Sequence, residues 1–515
     1  MKTLNQTGLQ LAAAVGAVSS KASVEADEAS KIHVIGAGRA LTSAYEQLRN
    51  AAEYTEDHLL LQRAIRRFYR RLFLAPSQAD IESSGEELVT ELTLAGYLPN
   101  DSVAKSTANE LSSLASDYYY AYKQIDRLAG GRLDAWTLDV LAVEVEARLS
   151  SPQLRDVFVQ FAFDYFLETF DPSGIFKDGK SADYELTLYA AVHRSLLKSD
   201  EATIRWAILT RFQQSPLRVD PYVVTNQKVD ELLNTKLFDK LVKSVSRHGA
   251  AMRVLWRMFT DGQDVDQLIK TPNKFLPAYE AKIISEYEEI NARINRGILK
   301  SVIFLIITKF VIGIAIEVPY DYWRHGEILW LPLIINLFLP PVYMVLLRLT
   351  LSLPGTANTV ALTDQIDNVL YGADKPIKIR LKAKKQYGMA FNVAYALAFV
   401  LIFGLASWGL VSLGFSLVHL LIFFVFFSTA SFLGFRLSRT IRELEAVDSD
   451  QSGVAMVRDF IYLPFVVVGQ KLSEGYSKFN LVALILDMVI ELPMKTLLRL
   501  LRQWGGFISA KKDDL

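Results

Sequence analysis

Hydrophobic positions are spread unevenly along this chain. Four apolar runs, residues 301–318, 328–347, 391–413 and 415–435, fall in its second half, and each is long enough to cross roughly 30 Å of hydrocarbon as a helix. They predict a membrane region over residues 299–436. Basic residues in the short flanks set its orientation, because Lys and Arg are retained on the cytoplasmic side. Arg293, Arg296 and Lys300 precede the first run, and the turn after it holds one Arg against Asp321 and Glu327. A basic loop over 348–390 carries Lys375, Lys378, Arg380, Lys382, Lys384 and Lys385, and Arg436, Arg439 and Arg442 follow the fourth run. The runs therefore read as two hairpins in a cell or inner membrane, with both termini cytoplasmic. Tyr320, Tyr322, Trp323 and Trp330 belong to an outer aromatic belt.

Polar residues inside the runs need explaining, since an unpartnered lysine at mid-membrane costs roughly 2.5 to 3.5 kcal/mol. Lys309 stands at the centre of the first run and Glu317 at its end. On an ideal α-helix they are about 80° apart, too far for a direct pair. Lys309 is expected to turn to the second run, where Pro332, Pro340 and Pro341 remove backbone donors and predict a kink or break. Asn336, or a carbonyl freed by Pro340 or Pro341, is the expected partner, and Asn336 is expected to satisfy the freed backbone. The third and fourth runs, joined by Leu413 and Gly414, are expected to pack through Ala394, Ala398 and Gly404 against Ser428, Ala430 and Ser431.

Beyond the fourth run, DFIYLPFVVVGQ is too short to cross. The segment at 479–504 then carries Asp487, Glu491, Lys495, Arg499 and Arg502 as a narrow charged stripe on an apolar helix. It reads as an in-plane interfacial helix, with a fifth span broken at Pro493 as the alternative.

The first half follows a helical period from about residue 38, punctuated at Pro76, Pro99, Gly130, Pro152, Pro172, Pro216 and Pro272. The expected fold is all-α: a helical cytosolic domain, a four-helix (two-hairpin) transmembrane bundle and a C-terminal amphipathic interfacial helix. Its divisions are a flexible leader at 1–37, helical cytosolic regions at 38–150 and 151–298, the membrane region at 299–436, and C-terminal cytosolic or interfacial helices at 437–515. The charged helix ending near Lys300 is expected to run straight into the first span.

Composition narrows the chemistry. Lys and Arg number 56, as do Asp and Glu, so no net field draws the chain to nucleic acid. There is no cysteine, which excludes thiolate metal sites, disulfides and a cysteine nucleophile. One basic patch stands out. In AIRRFYRRLF, Arg63, Arg66, Arg67, Arg70 and Arg71 line one side of a helix and Ile65, Phe68 and Leu72 the other. It suits anionic lipid headgroups, or it is a solvated face neutralised by Glu53, Glu56 and Asp57. The Tyr118, Tyr119, Tyr120, Tyr122 cluster reads as helix packing.

Four local motifs remain. GIFKDGKS at 174–181 matches the phosphate-loop pattern literally, but a helical run and Pro172 precede it where a buried strand belongs, so it reads as a turn. DSDQSGVAMVRD at 448–459 resembles an EF-hand calcium loop, with Asp448, Asp450, Ser452, Gly453 and Asp459 at the ligand and turn positions, and reads as an acidic linker. IHVIGAGRAL lacks the third glycine of a dinucleotide fingerprint. The segments IEVP at Glu317 and IELP at Glu491 are similar to the acidic-proline signature of the mitochondrial calcium uniporter, without its tryptophan and spaced aspartate. No catalytic, cofactor-binding or metal residues are assigned. The functional expectation is a non-enzymatic membrane scaffold. The alternatives are an oligomeric transporter or channel using Lys309 and a proline-broken second helix, and a nucleotide-dependent machine using GIFKDGKS. Expected partners are the lipid bilayer, further copies or other membrane proteins and anionic lipid, with no nucleic acid and no cofactor.

Overall fold

Among the described residues helical periodicity becomes helix almost throughout, with a two-residue strand pair, Phe170–Asp171 with Ile379–Arg380, and an isolated bridge between Lys31 and Ala104. The structure is a computed structural model and describes residues 3–24, 31–34, 36, 39, 42–43, 46, 59–74, 78–150, 153–174, 182–261, 265–372, 378–381, 388–446 and 453–478. It divides into two units. A helical unit holds Leu9–Phe170 and Asp178–Val245, and a membrane unit holds Ser246–Phe479 with two short pieces, Met1–Gly8 and Asp171–Lys177. Inside the expected leader a helix, α1 (Gln6–Val24), buries Leu11, Ala12 and Val15.

The helical unit is built on amphipathic helices whose apolar faces meet. Its α2 (Leu60–Leu74) buries Ile65, Phe68, Tyr69 and Phe73 and turns its arginines outward. In α3 (Lys105–Ala129), Tyr118 is buried and bonded to Glu144 at 2.8 Å, while Tyr119 and Tyr122 pack edge-on against Phe73. The core runs through α4 (Leu138–Ser150), apolar on nearly every side, and continues to α5 (Ala182–Leu196), α6 (Glu201–Arg211) and α7 (Val219–Leu233). Asp200 caps α6 by accepting the Thr203 N–H at 2.8 Å, which satisfies one of the first-turn donors. At the centre Arg205 pairs with Asp230 and donates to the Asn226 carbonyl at 3.1 Å, while Trp136 Nε1 donates to Asp230 at 3.0 Å.

In the membrane unit, α8 (Ala250–Thr260) packs on α9 (Pro272–Ile312), a 41-residue helix that enters the first apolar run without interruption, as its sequence suggested. A π-helical turn at Gly313–Glu317 follows, then α10 (Val318–His325). Three more helices are long and apolar enough to cross a membrane: α11 (Trp330–Thr350), α13 (Met389–Ser412) and α14 (Leu417–Arg442). Between α11 and α13, in the segment read as a basic loop, lies α12 (Thr356–Tyr371), packed on α8 and α9. The last described helix is α15 (Gly453–Lys478), which contains DFIYLPFVVVGQ.

Of the expected kink or break, the break does not occur: the second apolar helix is continuous from Trp330 to Thr350. Pro332 sits in the first turn of α11, where its N–H would have no helical partner, and Pro340 and Pro341 are buried against neighbouring helices that carry the chain through. The small residues also serve other contacts than the expected one. Ala394 and Gly404 on α13 are exposed, and a Cβ on Gly404 would meet nothing. On α14, Gly434 lies so close to α11 that a Cβ would fall 2.1 Å from Leu347 Cδ2. Gly469 on α15 lies against the Ser428 carbonyl of α14. Phe465, beside it, packs on Phe403, Phe424 and Phe427.

Candidate functional site

The π turn decides how the membrane helices present their polar side chains. Pro319 has no N–H to give the Ala315 carbonyl four residues back, and the chain absorbs this by winding one extra residue into the turn at Gly313–Glu317. Winding falls from about 100° to about 82° per residue there, so Lys309 and Glu317 separate by roughly 10° instead of roughly 80°. They meet: Lys309 Nζ lies 2.5 Å from Glu317 Oε1, with both side chains almost wholly buried. The expected partner on the second helix is therefore corrected to a carboxylate on the lysine's own helix. Lys309 also stands over the Phe426 ring at 4.9 Å, which adds a cation–π contact from α14.

From this pair a chain of polar groups runs between α9, α10, α11 and α14. Asn336 Nδ2 lies 3.4 Å from Glu317 Oε1 and 3.2 Å from the His419 carbonyl. It bonds across the bundle, and its amide does not cap the backbone freed by Pro340 and Pro341 as expected. His419 is fully buried, with Nδ1 2.8 Å from the Ser416 hydroxyl that also caps α14. Its Nε2 faces Asp321 Oδ2 at 3.4 Å, within ion-pair range but off the line of a hydrogen bond. Asp321, also fully buried, accepts the Leu329 N–H at 3.0 Å and stands 3.9 Å from His325 Nδ1. His325 is exposed, so the chain has one end in the bundle and one at the surface. Tyr320 lies edge-on to His325 at 6.3 Å between centroids, and Tyr322, Trp323 and Trp330 are exposed rings.

Several groups in this region are not saturated. Among the described residues, Asn336 Oδ1, Asp321 Oδ1, His419 Nε2, Ser428 Oγ and Ser431 Oγ are buried without a hydrogen-bond partner. Open valences at this depth are costly, and intramembrane ionisable groups mark pathways and relays. The sequence reading found Lys309, Glu317 and Asn336 and missed Asp321, Ser416 and His419. Asp321 reads as part of the outer turn, and His419 is a single histidine within an apolar run. The proline two residues after Glu317 was the available signal for the altered winding.

Four of the α2 arginines lie within ion-pair distance of carboxylates in the helical unit. Arg66 Nε lies 2.6 Å from Asp139, Arg67 2.6 Å from Glu46, Arg70 3.7 Å from Asp134 and Arg71 2.7 Å from Glu91. The expected partners Glu53, Glu56 and Asp57 lie outside the described residues. So do residues 175–181 of GIFKDGKS, residues 448–452 of the acidic loop, and the stripe of Asp487, Glu491, Lys495, Arg499 and Arg502. Gly174 ends a short 3-10 turn in which Asp171 accepts the Ser173 N–H at 3.0 Å. Among the described residues no group of His, Asp and Glu is arranged to hold a metal. No family model, curated protein or solved structure matches this chain.

Proposed function

We propose that this membrane protein moves protons along the buried chain from His325 through Asp321 and His419 to the Glu317–Lys309 pair. Charge balance carries the reading. Lys309 and Glu317 neutralise each other, which leaves Asp321 as a second carboxylate in the same buried interior, with imidazole nitrogens at 3.4 and 3.9 Å as its nearest bases. A carboxylate and an imidazole that face each other at 3.4 Å offer two hosts for one proton. A proton with two close hosts is the elementary step of a relay. The open Asn336 Oδ1 and Asp321 Oδ1 are acceptors at which water completes the path toward Glu317.

The test is flux. In liposomes holding a pH-sensitive dye, the wild-type protein is expected to dissipate an imposed proton gradient, and Glu317→Gln and His419→Phe to abolish that dissipation while still inserting. Equal flux in wild type and both variants sinks the relay.

A scaffold reading is favoured by a different set of contacts. Asn358 on α12 donates to Tyr287 at 2.8 Å and to the Leu444 carbonyl at 2.7 Å, and accepts from Ala446 at 2.7 Å. Arg348 on α11 holds Asn291 and Asn295 of α9, each at 2.6 Å. This fully used network fixes the extramembrane helices to the bundle, as a rigid platform requires. Absence of flux together with stable partner capture that Asn358→Ala disrupts would leave the scaffold standing.

A further inference from the structure

At the end of the bundle away from His325, two helices touch through a glycine. Gly297 of α9 lies so close to α14 that a Cβ would fall 2.8 Å from Leu437 Cδ2. Farther into the bundle Lys309 of α9 stands over Phe426 of α14, so the two helices run antiparallel. On one side of their seam lies α11, since Arg348 holds Asn291 and Asn295 of α9 and Gly434 of α14 packs on Leu347. At about 100° and 1.5 Å per residue, Arg296 and Lys300 on α9 and Arg436 on α14 project to the opposite side, within about 5 Å of the Gly297 level. All three are exposed. Arg293, one turn earlier on α9, is occupied by Glu289 at 2.7 Å, but no carboxylate among the described residues is in ion-pair range of Arg296, Lys300 or Arg436. On that side of α14 the nearest acid is Glu443, about 10 Å farther from the membrane along the helix. Toward the membrane the same face turns apolar at once, with Ile303, Phe304 and Ile307 of α9 and Val425 of α14 exposed.

We infer that this groove seats an anionic phospholipid, its phosphate held between Lys300, Arg296 and Arg436 and an acyl chain lying along Phe304 and Ile307. An arginine fork takes two phosphate oxygens at once and a lysine adds a compact charge. The cations rim a face that opens sideways into hydrocarbon, and the apolar strip beneath them matches a lipid chain where a soluble anion has nothing to fill it. A zwitterionic headgroup would bring its own cation against these three, so the groove discriminates by charge. The site lies within the membrane unit and is independent of the proton chain.

Full-length protein from nanodiscs of equal phosphatidylcholine and phosphatidylglycerol, stripped of lipid stepwise and weighed by native mass spectrometry, tests it. Phosphatidylglycerol should be retained over phosphatidylcholine, with the preference falling at least roughly fivefold in K300Q/R436Q and restored in K300R/R436K. It should stay within about twofold of wild type in R439Q/R442Q, which takes the same charge from the side of α14 turned away from α9. A phosphatidylglycerol with a photoreactive group near the head of its acyl chain gives a reading that needs no variant: label is expected in peptides over residues 299–307 and 425–437. Equal retention of the two lipids by wild type, equal loss in K300Q/R436Q and R439Q/R442Q, or label no denser there than on α13 overturns the inference.

Discussion

Arg205 with Asp230 in the helical unit, and Lys309 with Glu317 in the membrane unit, are both ion pairs withdrawn from solvent, with side-chain exposures of 3% and 15% against 2% and 1%. Their surroundings differ. Both oxygens of Asp230 are used, by Arg205, Arg132 and Trp136, and Asn226 spends both ends of its amide on Arg205 and the Tyr222 carbonyl. Around Lys309 the polar groups are only partly used: Asn336 gives its Nδ2 and leaves Oδ1 open, and His419 and Asp321 face each other without a formed bond. A saturated network specifies one conformation, whereas an unsaturated one retains places for a proton or water to occupy. On the proposed function, the difference separates a pair that fastens a core from one that ends a proton path.

Paired substitutions test this most strongly. Removing one member of either pair strands its partner, so Lys309→Leu and Arg205→Leu should each cost about 3 to 5 kcal/mol. The double variants should then diverge. Lys309→Leu with Glu317→Leu leaves little else unpaired and should recover most of the loss, while Arg205→Leu with Asp230→Leu leaves the Trp136 N–H and the Asn226 amide stranded and should recover little. Thermal unfolding in nanodiscs, with hydrogen exchange resolving peptides of each unit, reads both cycles. Equal recovery in the two cycles would erase the distinction.

The helical unit also holds a buried base that is kept neutral, and pH exposes it. Burial, reinforced by Arg155, holds His193 down at about 3. In the unfolded chain this imidazole takes a proton below roughly 6.5 and in the folded chain it does not, so stability falls as pH drops from 6.5 toward 3, by about 3 kcal/mol at pH 4.5. Asp139 acts in the opposite sense: with its carboxyl raised to about 6, the folded state takes up a proton that the unfolded chain releases down to about 3.8, and stability rises across that window. Exchange protection of α5 peptides at pH 7 and pH 4.5 should therefore fall more in wild type than in His193→Leu, and more in Asp139→Asn than in wild type. A wild-type loss no greater than that of His193→Leu would show that the imidazole is not held neutral.

How much of this was legible follows from what each signal depends on. The apolar runs and the helical period marked the four candidate spans and the nearly all-helical fold, because burial in lipid requires a continuous stretch that composition alone exposes. Lys309, Glu317 and Asn336 were visible as polar exceptions. Their pairing was not, since it rests on a π turn that an ideal-helix projection cannot contain. His419 and Asp321 were hidden for another reason: a lone histidine near a helix start and an aspartate in a turn become partners only when α10 and α14 are placed side by side. The arginines of α2 were clear as an amphipathic face, but Asp134, Asp139 and Glu91 come from elements 20 to 73 residues away, beyond the reach of local charge patterning.

The smallest expected effect concerns the contact between α14 and α15, where an unpaired hydroxyl lies at a backbone approach. A Cβ on Gly469 would fall 2.1 Å from the Ser428 carbonyl oxygen and 2.7 Å from Phe432 Cβ, so the two helices must part by more than an ångström to admit one. Gly469→Val should accordingly cost about 2 kcal/mol through lost packing of Phe465 against Phe403 and Phe427. The cost should be confined to α15 and the adjoining face of α14, because Lys309, Glu317, Asn336 and His419 make their contacts among α9, α11 and α14 on other residues. Exchange in α15 should accelerate while proton flux stays within twofold of wild type. Loss of flux together with the packing would make α15 part of the pathway, with Ser428 and Ser431 as its next stations beyond the Lys309 pair.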